Sequence, residues 1–114
     1  MKKAIIAVMA VTLLTIVHFG LTFVLFLMDF SVGMSQFDTG DDPTIIENAL
    51  HVAATVMMWP IFEPMAKWGG HFVAQLFPGV LGYIPMLTNS LVWGLAVWLI
   101  LGRAMWRRKR STEP

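Results

Sequence analysis

"AIIAVMAVTLLTIVHFGLTFVLFLM", residues 4–28, decides which solvent this chain folds in: 25 consecutive residues without Asp, Glu, Lys or Arg. At about 1.5 Å per residue the run exceeds the roughly 30 Å of a bilayer's hydrocarbon core, so it predicts a transmembrane helix with some tilt. Lys2 and Lys3 before it resemble the charged start of a secretory signal. The apolar run is, however, well beyond the usual signal core of about 7 to 15 residues, and no small-x-small cleavage pattern follows. The reading is an uncleaved anchor.

The rest of the chain agrees with lipid as solvent. Of 114 residues 57% are hydrophobic and only 13% charged, with a mean hydropathy of +0.70, above what a soluble domain of this size carries. The net charge of +1 hides a segregation: Lys2 and Lys3 lie at the start, Arg107, Arg108, Lys109 and Arg110 at the end, and the acids between. There is no cysteine, which removes disulfide frameworks, thiolate metal sites and cysteine nucleophiles from consideration.

"DFSVGMSQFDTGDDP", residues 29–43, is rich in Asp, Ser and Gly and predicts a solvent loop. Asp42 followed by Pro43 marks a helix start, with Glu47 near the positive end of its dipole. This second span is expected over about 45–62, where Pro60 and Pro64 weaken it. Glu63 and Lys67 follow at i, i+4, and "WGG" at Trp68 to Gly70 reads as a stop. Residues 68–87 are ambiguous: apolar but short, with Pro78, Gly79, Gly82 and Pro85 spoiling a regular helix. They fit a broken fourth span, a re-entrant segment or an interfacial helix, and irregular backbone at membrane depth requires protein cover. A last span is expected over about 88–106, capped by Thr88, Asn89 and Ser90, with Arg103 snorkelling and Trp106 in an aromatic belt. The fold class is thus an all-α integral membrane protein in one membrane domain: three transmembrane helices plus a broken membrane-associated segment.

Basic residues accumulate on the cytoplasmic side, so Arg103, Arg107, Arg108, Lys109 and Arg110 in the tail 107–114 place the C-terminus inside and serve topology or anionic head groups. Lys2 and Lys3 favour the same side, which an even number of crossings would require. The compact charge pattern points to a bacterial inner (cytoplasmic) membrane.

Polar residues interrupt the apolar helices in stripes. Thr15, His18, Thr22 and Asp29 fall on one face of the first helix, and Glu47, His51 and Thr55 recur every fourth residue in the second. Counting about 1.5 Å per residue from a shared loop end, Thr22 matches His51 in depth, His18 matches Thr55, and Asp29 lies near Glu47 at the rim. The expectation is a polar seam between helices one and two that orients them, at about 0.6 kcal/mol per bond and up to roughly 2. The competing reading is a proton or ion path through His18, His51 and Glu47. Haem held between His18 and His51 is disfavoured by a depth difference of about 7 Å. The nine methionines show no repeated spacing that suits Cu(I), and His71 with Gln75 makes an interfacial polar face, not a metal site. Ser90 and Gly94 give one small-xxx-small spacing for close helix packing.

No catalytic signature, phosphate-binding glycine loop or nucleic-acid-binding face occurs, so neither an enzyme nor a cofactor is expected. The expected partners are the lipid bilayer and another membrane protein or a second copy, with no nucleic acid. The expected function is an accessory, regulatory or assembly protein. A homo-oligomeric transporter or channel and a haem-binding electron-transfer subunit are the alternatives.

Overall fold

A 38-residue helix, α1 (Lys2–Thr39), passes through the whole first apolar run and does not stop at Asp29. The loop expected over 29–43 is therefore helical as far as Thr39, because the stripe of Thr15, Thr22 and Asp29 continues at Val32 and Gln36 and is covered by the next helix. The stop is Gly40, whose φ of 70° is left-handed and whose N–H donates to the Gln36 carbonyl at 2.7 Å. This is a computed structural model, and it describes residues 1–112.

Helix α2 (Ile45–Met58) opens on a capping box: the Thr44 hydroxyl accepts the Glu47 N–H, and the Glu47 carboxylate accepts the Thr44 N–H. Thr44 is thus the cap in place of Asp42, and Pro43 precedes the helix. α2 ends before Pro60, which has no donor to continue it. The Trp59–Pro60 peptide is cis. α3 (Phe62–Leu76) follows at 81° to α2 and runs straight through Trp68 to Gly70, where a stop was expected. Pro78, Gly79 at φ 60° and a 3-10 turn, Gly79–Gly82, then reverse the chain.

α4 (Tyr83–Ser111) starts earlier than the expected cap at Thr88 to Ser90. Pro85 falls in its first turn, where a missing N–H costs nothing, so this proline begins a helix that it was read as spoiling. The basic tail continues the helix to Ser111, and the last two positions of 107–114 lie outside the described residues.

Among the described residues all regular structure is helical. Two helices, α1 and the segment Gly79–Ser111, are long and apolar enough to cross a membrane; α2 and α3 make a third only if the bent pair counts as one span. α1 and α4 form the main antiparallel pair: Tyr83 packs on Phe23 with ring centroids 6.0 Å apart, Ser90 meets His18, and Gly94 meets Thr15. Their basic ends therefore lie together. α2 packs along the outer part of α1, past Gln36 and Asp29, and its last turn reaches α4 at Asn89. The buried residues include Thr15, Thr22, Asn89 and Ser90 beside only Ala54, Met58 and Met86 among hydrophobic ones. Such an interior suits helices in lipid, where small and polar contacts, and not apolar burial, hold one helix to another.

Candidate functional site

The polar residues of α1 divide between two neighbours. His18 turns to α4: its Nδ1 lies 3.0 Å from the Ser90 hydroxyl and 3.3 Å from the Thr22 hydroxyl one turn away. Nδ1 offers one bonding direction, so it either accepts from one of these hydroxyls with the hydrogen on Nε2 or donates to one of them with Nε2 bare. That Nε2 is buried and has no hydrogen-bond partner. The imidazole stacks on Trp93 of α4 at 5.3 Å between centroids, which fixes the plane of the ring. Thr15, one turn before His18, spends its hydroxyl on the Val11 carbonyl at 2.8 Å.

The seam pairs differently from expectation. His51 reaches Asp29 at 3.0 Å, not Thr22. Glu47 reaches Gln36 at 3.4 Å, not Asp29. Thr55 is half-buried and does not meet His18; what its turn supplies is a carbonyl that accepts the Trp59 N–H. The cause is the extra length of α1: moving the connection from Asp29 to Gly40 slides α2 outward along α1, so each α2 residue meets α1 well above the level expected from a turn at Asp29. His18 and His51 consequently lie on different interfaces, and His18 is separated from Asp29, the α1 partner of His51, by about 16 Å of helix axis. That arrangement does not bring two axial ligands together for haem.

Asn89, expected as a cap, lies where α4 meets the break between α2 and α3. Wholly buried, its side-chain carbonyl accepts the Ile61 N–H at 2.9 Å and the Phe62 N–H at 3.5 Å, while its amide donates to the Met57 carbonyl at 2.9 Å. Trp93 adds a bond from its indole N–H to the Trp59 carbonyl. Together these two α4 side chains satisfy the backbone that the Pro60 break sets free, as buried backbone in hydrocarbon demands. The signal that pointed here was present in the sequence: a proline-broken helix needs a donor and an acceptor from a neighbour, and Asn89 is the only Asn or Gln in the apolar stretch of the last helix.

Gly94 marks a close approach of α1 and α4. A Cβ there would lie 2.6 Å from the Thr15 hydroxyl and 3.1 Å from the Val11 carbonyl oxygen. The Ser90 and Gly94 spacing thus lies on the face that α4 turns to α1.

Of the cavities beside these residues, one is lined by His18 and one by His51. One, about 170 Å³, is lined by Leu14, His18, Leu21, Met57 and Trp93 and falls below the roughly 300 to 1,000 Å³ typical of ligand pockets. The other is an open groove of about 480 Å³ between α1 and α2, with Asp29, Gln36, Glu47, Asn48 and His51 in its wall. Among the described residues no three His, Asp or Glu side chains gather in a metal-binding geometry. Arg103, Arg107, Arg108, Lys109 and Arg110 are all exposed at the far end of α4, where the Arg110 guanidinium lies 3.8 Å over the Trp106 ring. No protein family, curated protein or solved structure matches this chain.

Proposed function

We propose that this chain is an accessory, regulatory or assembly subunit of another membrane protein, held in a bacterial inner membrane by α1 and α4 with both basic ends cytoplasmic. The observation that carries the reading is where the polar groups go. Thr15, His18, Thr22, Asn89 and Ser90 are engaged within the helix bundle, and none lines a route across it. Toward the basic end, residues 4–14 of α1 and 91–102 of α4 add only Thr12 and two indoles as polar side chains. An ion or proton path through one copy has nothing to follow there. What the chain does offer a neighbour is surface: most large apolar side chains of α1 and α2 are exposed.

The orientation rests on Lys2 and Lys3 lying at the same end as Arg103 to Arg110, an arrangement that obeys the excess of basic residues in cytoplasmic segments. The deciding experiment is native mass spectrometry of the tagged chain, expressed at its natural level and extracted in mild detergent. A different membrane protein in fixed stoichiometry is the expected result. A homo-oligomer with no second protein overturns the proposal in favour of transport, with a path formed between copies.

A further inference from the structure

We propose that α3 lies in the plane of the membrane interface at the acidic end of the molecule, with Trp68, Phe72 and Leu76 among acyl chains and Lys67, His71 and Gln75 among head groups. The first observation is the sequence of α3 on its own wheel. At about 100° per residue, Met65, Trp68, Phe72, Val73 and Leu76 fall in one half of the circumference and Glu63, Lys67, His71 and Gln75 in the other. The apolar stripe is not covered by the rest of the chain: Trp68 is 76% exposed, Phe72 65% and Leu76 53%.

The second observation is direction. α3 has 15 residues, about 22 Å, but at 81° to α2 it advances only about 3 Å along the α2 axis. It therefore does not complete a crossing begun by α2.

Depth is the third. The uncharged run from Tyr83 to Gly102 in α4 is about 30 Å long, one hydrocarbon thickness, and is bounded by Arg103 at one end and the chain reversal at the other. Asn89 binds the backbone at Ile61 and Phe62, so α3 begins at the level of Asn89, about 9 Å below Tyr83. Its far end returns to Tyr83 through the turn at Gly79–Gly82. The whole of α3 is thus confined to the outer 10 Å or so of the slab, the depth at which amphipathic helices lie. The same slab leaves Asp29 about 9 Å outside the hydrocarbon, since Tyr83 packs on Phe23. Sliding the slab outward to place Asp29 at its edge would sink the start of α3, with Glu63 and Lys67, about 18 Å into the hydrocarbon. The in-plane position holds Glu63 and Lys67 within about 9 Å of the hydrocarbon edge, half that depth and within reach of the head groups.

The chain has no cysteine, so single cysteines can be placed without background. Full-length variants Lys67→Cys, Trp68→Cys, His71→Cys, Phe72→Cys, Gln75→Cys and Leu76→Cys all replace exposed side chains, which keeps folding out of question. Each is nitroxide-labelled in vesicles of phosphatidylethanolamine and phosphatidylglycerol, and its collision rates with oxygen and with a water-soluble nickel chelate are compared. The expected result is an oxygen-to-nickel ratio roughly threefold or more higher at 68, 72 and 76 than at 67, 71 and 75. A Val17→Cys label, exposed on α1, gives the deep-bilayer reference. Six ratios all near that reference mean that α3 crosses; six low ratios mean that it stands in water. Six positions closed to both reagents mean protein cover. Each of those three outcomes overturns the proposal.

Discussion

His18 and His51 each tie α1 to a neighbouring helix through one imidazole nitrogen, in opposite surroundings. His18 bonds Ser90 among residues as inaccessible as Thr22 and Asn89, beside the close approach at Gly94. His51 bonds Asp29 with 69% of its side chain exposed, in the open wall of the groove between α1 and α2. The α1 and α4 interface therefore holds its polar groups where water cannot compete, and the α1 and α2 interface where it can. An acidic partner does not by itself make the exposed contact strong, because water screens charge there and competes for its hydrogen bonds.

The sharpest break in this contrast comes from Asn89→Leu. It strands the Ile61 N–H and the Met57 carbonyl in a dry interior, at about 1 to 3 kcal/mol for each unsatisfied group. The expected total loss is about 2 to 6 kcal/mol in a denaturing-detergent titration of the purified chain. A loss below about 0.5 kcal/mol would mean that the broken segment is held by something other than α4.

Gly94→Val comes next. Its side chain meets Thr15 and the α1 backbone, so the helices must separate, with an expected loss of about 1 to 3 kcal/mol in the same titration. Gly20→Ala, where a Cβ meets nothing, serves as its control and should cost no stability. Equal effects at the two glycines would show that close approach is not what Gly94 provides.

A smaller effect is expected for the coupling between His18→Leu and Ser90→Ala in a double-mutant cycle, about 0.6 kcal/mol and no more than roughly 1.7. Smallest is the coupling between Asp29→Asn and His51→Gln, about 0.2 to 1 kcal/mol at low salt and shrinking as salt is added. If the Asp29 cycle gave the larger and salt-independent coupling, the ranking of the two interfaces would be reversed.

The lipid solvent, the helical class and the first and last apolar segments were legible because a long uncharged run admits few other readings. The length of α1 was not read, because Asp29, Ser31 and Gly33 look like loop chemistry while the stripe through Asp29, Val32 and Gln36 that overrides them needs α2 in place to matter. Yet the stop itself was written locally: Gly40 followed by Pro43 is a helix C-terminal pattern. That misplaced end moved α2 along α1 and carried the whole seam with it, so His51 was matched to Thr22 when its partner is Asp29. Asn89 shows a different limit. Its type suits a cap as well as it suits a buried clamp, and only the tertiary meeting of α4 with the Pro60 break separates the two roles.

The unbroken course of α1 has a mechanical meaning. At 38 residues it is a strut about 57 Å long with no joint between the Lys2 end and the acidic hairpin made with α2. A tilt of about 5° around its midpoint displaces its two tips by about 2.5 Å in opposite senses. α2 and α3 form an elbow, and Asn89 and Trp93 pin that elbow to α4. A shift of the hairpin therefore reappears at the basic end with the opposite sense, whereas α3 is joined to the strut only through its bend and the α4 clamp.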